Sequence, residues 1–388
     1  MKTRLWVWLV FVLASAIWMS PQVAAQIQRG MSIALEGSQV NLSWGSAPGM
    51  SYRLDETGEL GSDWLEVETV PKPLVSISNQ LSYSLPLNPL QARRFYRAVE
   101  LAEQNFQIEV TTTASPQNFI CRFVEPGTLH VDWGDGSSED FNATVNSTHT
   151  YATAGVYTIR FSGHVHSIDF FIYPDPGLGT PKLISAIKTP IRGITGLNSA
   201  YEMFKHCENI TSIPEGLFDE CPGITTFYDT FLACKKITTI PPGLFNAQTN
   251  VISFYATFDN CDALKEIPPG LFDKHPNVNN FAWTFAKCYA ITSVPDGLFD
   301  KHPKVTTFSH VFFRCYALRT ISPRLFDKNT LVTTYVNAFE DCTQLTGESP
   351  VNSAGQKLWE LVPLPTGTVC FKNCTNLTDY ATIPATWK

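Results

Sequence analysis

Residues 251–300 read VISFYATFDNCDALKEIPPGLFDKHPNVNNFAWTFAKCYAITSVPDGLFD and contain nearly two copies of one unit. In each copy a Phe-x-x-Cys motif, ending at Cys261 and then at Cys288, precedes the segment Pro-x-Gly-Leu-Phe-Asp. A fixed period of about 20–50 residues indicates an array of structural repeats. This stretch therefore predicts a repeat architecture for the part of the chain that contains it.

The same cysteine recurs far beyond this stretch. Six cysteines follow one another at intervals of 27 residues, and a seventh follows after 32, namely Cys207, Cys234, Cys261, Cys288, Cys315, Cys342 and Cys374. A phenylalanine precedes each by three positions, at Phe204, Phe231, Phe258, Phe285, Phe312, Phe339 and Phe371. A free cysteine packs like a small apolar residue, so the spacing predicts a buried ladder of unpaired thiols. Cys121, Cys221 and Cys370 do not follow this spacing, and the sequence does not decide whether they form disulfides.

Each unit has further apolar positions that recur with the cysteine. One unit is too small to bury them alone, so neighbouring units must stack. We predict a strand at the Leu/Ile-Thr-x-Ile segment, ended by proline, and a short helical piece at Leu-Phe. Phe-x-x-x-Phe-x-x-Cys, as in residues 227–234, has helical spacing and predicts a second short helix.

The repeat resembles a known family. The repeated pattern V-T-T-F-x-x-T-F-x-x-C-x-x-L-T-S-I-P resembles the BspA-like leucine-rich repeats of bacterial surface proteins, over about residues 180–388. The string IPPGLFDKHPNV at residues 267–278 also resembles ordinary leucine-rich repeats. The resemblance implies a right-handed α/β leucine-rich-repeat solenoid of about seven units at residues 197–388, ending in a cap. Residues 169–196 would be a connector and N-terminal cap. The family implies secreted or cell-surface proteins that bind host proteins, other cells or glycans.

Two small β modules are predicted before the repeats. In residues 26–102, short alternating runs such as 40–44 and 94–99, separated by Gly and Pro turns, predict a β-sandwich. The order of these runs and of their aromatic residues resembles fibronectin type III-like modules. The fold class expected for the whole chain is therefore mixed: two all-β sandwiches followed by the α/β solenoid.

The second β module, residues 103–168, has a more specific motif. Residues 129–136 read LHVDWGDG, and HTY at 149–151 precedes AGVYTI at 154–159. These strings resemble the polycystic-kidney-disease (PKD) family. Asp132 and Asp135 could bind calcium, but calcium needs six or more oxygen ligands, so we favour a role in capping the turn.

The first 25 residues predict a secretory signal peptide. Lys2 and Arg4 precede the apolar run 5–19, and small residues at 23–25 offer a cleavage site before Gln26. An uncleaved membrane anchor is the alternative. Since no second long apolar run follows, we expect a secreted or cell-surface protein with no membrane span in the mature chain.

Composition and motifs narrow the function. The net charge of −7 disfavours nucleic-acid partners. No nucleophile elbow, paired-acid motif or phosphate loop is present, so we predict a protein that is not an enzyme and uses no cofactor. His275 and His302 occupy equivalent repeat positions, and His164 and His166 share a strand, but neither pair has the further ligands of a zinc site. No metal is predicted.

A binding surface is the remaining candidate. Tyr, Trp and Arg dominate binding hot spots, and such residues vary beside the repeated core. The candidates are Tyr228, Tyr255, Trp283, His310, Tyr289, Tyr316 and Arg319. For Tyr289 and Tyr316, packing between units is the alternative. We expect a non-catalytic adhesion or binding protein, whose ligand is an extracellular protein or glycan. A glycan-binding accessory protein and a structural envelope component are the alternatives.

Overall fold

The computed structural model describes residues 10–13, 32–36, 39–45, 51–57, 65–66, 74–75, 80–86, 93–100, 105–171 and 180–388. The chain divides into two compact units, Met1–Asn105 with Phe161–Gly163, and Phe106–Arg160 with His164–Lys388. Most of the predicted signal peptide, at residues 1–9 and 14–25, lies outside the described residues, as does part of the predicted connector, at 172–179.

The first unit consists of eight described strands. They are β1 (Val10–Leu13), β2 (Ser32–Glu36), β3 (Gln39–Gly45), β4 (Ser51–Thr57), β5 (Leu65–Glu66), β6 (Leu74–Val75), β7 (Gln80–Pro86) and β8 (Arg93–Glu100). One sheet has the order β1-β8-β4-β5 with β6 beside β4, and another has the order β2-β3-β7. All these pairs are antiparallel. The runs expected at 40–44 and 94–99 lie within β3 and β8.

The second unit begins with antiparallel sheets. Its elements are β9 (Phe106–Thr112), β10 (Gln117–Val124), β11 (Leu129–Asp132), β12 (Ser138–Phe141), β13 (Val145–Tyr151), β14 (Gly155–His164), β15 (Ser167–Asp169), α1 (Thr180–Leu183), β16 (Ile184–Ile187) and β17 (Ile194–Thr195). The sheet orders are β12-β11-β14-β9-β16, with β17 beside β14, and β13-β10-β15. Alternate residues of β10, Phe119, Cys121 and Phe123, are fully buried, as the pleat of a strand with one covered face requires.

The WGDG turn is held by its own aspartates. The Asp132 carboxylate accepts the Gly134 N–H at 2.9 Å, and Asp135 accepts the N–H and hydroxyl of Ser137. Asp135 also lies 2.8 Å from Nε2 of His149. At Gly134, φ is +80° and a Cβ atom would lie 2.5 Å from the Thr158 carbonyl oxygen, so only glycine fits. Both carboxylates therefore stabilise the turn.

The predicted fold class is wrong. An α/β leucine-rich-repeat solenoid needs a strand and a helix in each unit, and residues 197–388 contain neither regular element. Their only helical turns are the 3-10 segments Leu358–Glu360, Tyr380–Thr382 and Ala385–Trp387, and their pairings are isolated bridges such as Ser253 with Asn280. The regular structure described elsewhere is antiparallel sheet plus the four-residue helix α1. The repeat units consist of turns.

Left-handed residues explain why the Phe-to-Cys stretch is not helical. Five positions and one position before the cysteine, φ is positive in every unit. The values are 54° and 60° at Glu202 and His206, 54° and 60° at Asp229 and Ala233, 49° and 61° at Ala256 and Asn260, 63° and 54° at Trp283 and Lys287, 60° and 57° at His310 and Arg314, 56° and 63° at Asn337 and Asp341, and 49° and 64° at Val369 and Asn373. A left-handed residue ends an α-helix, and each Phe-to-Cys stretch contains two of them, four positions apart.

Hydrogen bonds between units explain this conformation. Alternate N–H groups of the Phe-to-Cys stretch point along the repeat, as when Glu202, Phe204 and His206 donate to carbonyls of the next unit at 3.0, 2.9 and 2.7 Å. The intervening N–H groups close turns within the unit, as from Cys207 to the Phe204 carbonyl at 3.1 Å. An α-helix would direct every N–H to its own segment, so the units could not be joined.

The phenylalanine ladder is buried and continuous. Rings of Phe204, Phe231, Phe258, Phe285, Phe312, Phe339 and Phe371 stack on their neighbours, with centroids 5.5 to 5.8 Å apart. None is exposed. Such ring pairs contribute about 0.5–1.5 kcal/mol each beyond the burial of their area.

The cysteine ladder satisfies backbone carbonyls. The thiol of Cys234 donates to the Phe204 carbonyl of the preceding unit at 3.1 Å, and Cys261 and Cys288 donate to Phe231 and Phe258 at 3.2 Å. The pattern continues at Cys315, Cys342 and Cys374. All ten cysteines are free and buried, including Cys121, Cys221 and Cys370. Burial raises the pKa of the ladder thiols, which keeps them protonated as donors.

Both ends of the repeat region are covered. At the first end, the rings of Phe106 and Phe170 contact Phe204, at 6.4 and 5.7 Å between centroids. At the other end, N–H groups of Phe371 and Val369 donate to the carbonyls of Trp387 and Thr386 at 2.8 and 2.9 Å. Terminal repeats need such covers because an open end would expose the apolar interior.

We predict that the thiol hydrogen bond can be separated from thiol packing at Cys288. Cys288→Ala removes the thiol hydrogen bond to the Phe258 carbonyl, which still accepts the Cys261 N–H, and should lower the free energy of unfolding by about 0.5–1.5 kcal/mol. Cys288→Ser keeps a donor and should cost less. Urea unfolding of the two variants measures the difference. A serine variant no more stable than the alanine variant would show that the bond is unimportant.

Strain should be measurable at Val369, a β-branched residue with φ of 49°. Asparagine tolerates this conformation better and occupies the equivalent position of the preceding unit, at Asn337. Val369→Asn should therefore raise the free energy of unfolding by about 1 kcal/mol. Thermal unfolding compares it with Val369→Ala, which keeps the backbone cost. Equal midpoints for the two variants would contradict this account.

Candidate binding surface

Four of the predicted surface residues lie within the Phe-to-Cys stretch, and the other three follow its cysteine. Counted from the cysteine of each unit, Tyr228 and Tyr255 are six positions before it, and Trp283 and His310 are five before it. Tyr289 and Tyr316 directly follow a ladder cysteine. Since the phenylalanine and cysteine positions face inward, these intervening side chains face outward, half-buried or exposed.

A tyrosine ladder is the first part of this surface. The ring of Tyr228 stacks on Tyr255 at 4.5 Å with 13° between planes, and on Tyr201 at 5.1 Å with 19°. Tyr201 is 43% exposed and was missed by the sequence prediction. The sequence could have identified it, because it occupies the same repeat position as the other two tyrosines, six residues before the cysteine.

A second ring cluster combines aromatic and cationic groups. Trp283 stacks on His310 at 3.8 Å with 9° between planes, and Phe313 meets both rings edge-on at 5.7 and 5.3 Å. The Lys287 ammonium lies 5.3 Å from the Trp283 centroid, and the Arg314 guanidinium lies 4.8 Å from that of Phe313. These contacts are cation–π interactions. The sequence prediction missed Phe313.

The remaining candidates, Tyr289, Tyr316 and Arg319, form no ring contact with the first two ring clusters. Tyr289 stacks on Tyr316 of the next unit at 5.2 Å with 16° between planes, so these two tyrosines do pack between units. Tyr316 is also 42% exposed, so it can contribute to the surface as well. Arg319 is exposed; its N–H donates to the Thr292 carbonyl, and its carbonyl accepts from Thr346. Within residues 180–388, no ring contact joins the tyrosine ladder, the Trp283 cluster and the Tyr289 pair. The structure therefore gives three adjacent ring sets.

Ion pairs cross the units on this surface. The Lys205 ammonium forms ion pairs with Glu202 of its own unit at 2.5 Å and with Asp229 of the next unit at 2.7 Å. The Lys287 ammonium lies 3.5 Å from the carboxylate of Asp259 in the preceding unit. Burial raises the pKa of Asp229 above its usual value and raises that of Asp259 to about 6, although the lysines oppose the shift. Burial therefore makes the charged form of both aspartates costly, and the lysines offset part of that cost.

His310 is neutral at physiological pH. Burial lowers its pKa to about 4, and its Nδ1 atom is buried with no hydrogen-bond partner. A neutral imidazole stacks on the Trp283 ring as one more flat, weakly polar surface. The Trp283 cluster therefore takes its positive charge from Lys287 and Arg314.

The two repeat histidines weighed as metal ligands serve the backbone. His275 and His302 are fully buried, and their Nε2 atoms lie 2.9 and 2.8 Å from the carbonyl oxygens of Phe245 and Phe272 in the preceding unit. Gln248 and Asn329 occupy the same repeat position, and their side-chain amides donate to the carbonyls of Phe218 and Phe299 in the preceding unit. The position therefore selects a buried side-chain donor of any kind.

The other sequence-selected groups are also engaged. Nδ1 of His164 lies 3.1 Å from the Thr195 hydroxyl, and Nδ1 of His166 lies 2.7 Å from Glu125. In the described part of the chain, no three His, Cys, Asp or Glu side chains gather where they could hold a metal ion.

One polar cluster combines a hydroxyl, an acid and a lysine. Ser349 donates to Asp379 at 2.5 Å, and Lys357 donates to the same carboxylate at 2.7 Å. Ser349 is wholly buried. Lys357 also donates to the Ser349 carbonyl at 3.2 Å, so the cluster fastens the inserted segment that follows the last regular unit.

Comparisons add no relative. No protein-family model matches the chain, and a search of curated proteins finds no match. Separately, none of the helices described in the structure combines the length and the apolar character needed to cross a bilayer.

The carbonyl-donor role of the buried histidines predicts a pH effect. Burial lowers the pKa of His275 and His302, so the unfolded chain, with a histidine pKa of about 6.5, binds more protons. The two histidines therefore make their full contribution to the free energy of unfolding above pH 6.5, and that contribution decreases as the pH falls below 6.5. In the double variant His275→Gln, His302→Gln, the donors remain and the titration disappears, so the loss of Tm between pH 7.5 and pH 5 should shrink.

Glutamine is a suitable replacement because Gln248 already fills the same repeat position with the same hydrogen bond. His310 is present in both the unmodified protein and the double variant, so it does not affect the comparison. Thermal unfolding followed by circular dichroism at each pH provides the comparison. An unchanged pH dependence in the double variant would contradict the assignment.

Proposed function

We propose that this chain is a secreted or cell-surface protein that binds a macromolecular partner without catalysis. The contact would be made by the ring surface, defined as Tyr201, Tyr228, Tyr255, Trp283, His310, Phe313, Tyr289 and Tyr316. The observation that carries the proposal is that outward rings at the same repeat position stack between successive units, and that this occurs at three repeat positions. The features of residues 1–25 support export.

Stacking prepares the rings for binding. Ordering a flexible side chain at an interface costs about 0.5–1.5 kcal/mol, and a ring already held by its neighbour avoids much of that cost. Trp and Tyr also supply large contact areas with few rotatable bonds. A prearranged surface of this kind supports affinity without a change of fold.

Ring orientation favours a protein partner over a glycan. Sugars stack on open ring faces, whereas Tyr228 is covered on both faces by Tyr201 and Tyr255. One face of Trp283 is covered by His310, and Lys287 lies over the same ring. The flanking charges, such as Lys287 beside Trp283, add polar groups to the rings and suit the mixed polar and apolar surface of a protein.

A binding screen of the full-length chain tests this proposal. The immobilised protein would be exposed to purified extracellular matrix proteins and to a glycan array, and each ligand found would be titrated by surface plasmon resonance. We expect a protein ligand whose affinity falls at least 100-fold in the triple variant Tyr228→Ala, Tyr255→Ala, Trp283→Ala, because central aromatic residues contribute about 2 kcal/mol or more each.

Tyr380→Ala is the control, because Tyr380 is a half-buried tyrosine of the C-terminal cap. Its affinity should match that of the unmodified protein. A ligand that binds the triple variant and the unmodified protein equally well would refute the ring surface. Circular dichroism confirms that each variant is folded.

A further inference from the structure

Three aromatic side chains of the ring surface carry hydrogen-bond donors that the chain itself does not use. Within residues 180–388, Tyr228 and Tyr255 donate to side chains only through their backbone N–H groups, and neither hydroxyl bonds a carbonyl or a carboxylate. The indole N–H of Trp283, in the unit after Tyr255, also has no partner there. None of these three polar atoms is both unpaired and buried, so all three reach solvent.

The tyrosine ladder also ends in an open ring face. Tyr228 is covered on both sides, whereas Tyr255 stacks on Tyr228 alone. The next unit has Ala282 at the equivalent position, so among residues 180–388 no ring stacks on the second face of Tyr255. We call Tyr228, Tyr255 and Trp283 the ladder end. It combines one open aromatic face with three free donors.

Free donors favour a partner whose backbone carbonyl groups are not already bonded. The carbonyls of an α-helix accept from its own N–H groups, whereas a polyproline II segment has no internal hydrogen bonds. A proline has a carbonyl but no N–H, so acceptors outnumber donors in a proline-rich segment. Proline-rich segments in this conformation dock on aromatic-lined surfaces. The ladder end therefore offers the two components that such a segment needs.

The spacing of the ladder agrees with this conformation. A polyproline II segment rises about 3.1 Å per residue with three residues per turn, so one face returns about every 9.3 Å. Successive rings of the ladder lie 5.1 and 4.5 Å apart, so two steps span nearly the same length. A β-strand presents the same face about every 6.6 Å, which lies between one step and two.

We propose that the ladder end binds a proline-rich segment of a partner protein in the polyproline II conformation. The inference rests on the proposed function and names the chemistry of its partner. The hydroxyls of Tyr228 and Tyr255 and the indole N–H of Trp283 donate to carbonyl groups of the segment. A proline ring packs against the open face of Tyr255.

The test uses the full-length protein and a fluorescein-labelled peptide of ten prolines, followed by fluorescence anisotropy. We expect saturable binding that the double variant Tyr228→Phe, Tyr255→Phe weakens about fivefold or more, because each lost hydrogen bond lowers affinity about two- to twelvefold. Phenylalanine keeps the stacked rings, so this change reports on the hydroxyls. A Gly-Ser peptide of equal length should bind at least tenfold more weakly, because it must first be ordered.

Tyr380→Phe is the matched control, because it removes a hydroxyl from a half-buried tyrosine of the C-terminal cap. It should change the affinity less than twofold. Tyr255→Ala removes the open face and should weaken binding at least tenfold. Circular dichroism confirms that each variant is folded.

Several results would overturn the site. These are no binding of the ten-proline peptide, equal binding of the Gly-Ser peptide, or equal affinities of the double phenylalanine variant and the unmodified protein. A neutral oligosaccharide that binds through Tyr255 where the ten-proline peptide does not would assign the open face to a glycan instead.

The two proposals fail in different ways. A matrix protein whose affinity falls in the triple alanine variant, together with no binding of the ten-proline peptide, leaves the ring surface standing and removes the proline site. Peptide binding that depends on Tyr228 and Tyr255, together with a matrix ligand indifferent to the triple alanine variant, leaves the proline site and removes the ring surface as the contact for that ligand.

Discussion

The structure of the repeat region depends on where its backbone carbonyl groups find donors. Alternate N–H groups donate to the next unit, and side chains supply further donors to the preceding one. Three repeated positions do this: the ladder cysteines, the buried threonines such as Thr257, and the column that contains His275. Each of these carbonyls also accepts an N–H of its own unit, as Phe231 accepts from Cys234 at 3.1 Å, so the side chain adds a second hydrogen bond of about 0.5–1.5 kcal/mol in every unit. Chemically different side chains are interchangeable at these positions because each provides a donor.

The same constraint creates the outward surface. Directing alternate N–H groups along the repeat requires left-handed residues five positions and one position before each cysteine. Trp283 and His310 occupy one of these positions, and Lys287 and Arg314 occupy the other. Since equivalent residues of successive units repeat their backbone conformation, their side chains emerge in parallel. Rings and charges therefore stack on the outside, as the phenylalanines stack inside.

Electrostatics distinguishes the two parts of this surface. Around the tyrosine ladder, burial raises the pKa of Asp229 and Asp259. Around Trp283, Lys287 and Arg314 lie over rings while they pair with Asp259 and Asp341.

The sequence by itself determined the period, the inward rows and most of the surface candidates. A side chain that recurs every 27 residues must meet its copies once the units stack, so Phe204 to Phe371 could be assigned to the interior from spacing alone. The secondary structure could not be assigned in this way. Phe-x-x-x-Phe-x-x-Cys has the spacing of a helix, yet hydrogen bonds to a unit distant in sequence draw the backbone into left-handed turns. The contributions of Tyr201, Phe313 and Asp229 were likewise decided by tertiary structure, because stacking and ion pairing between units depend on geometry that no single unit contains.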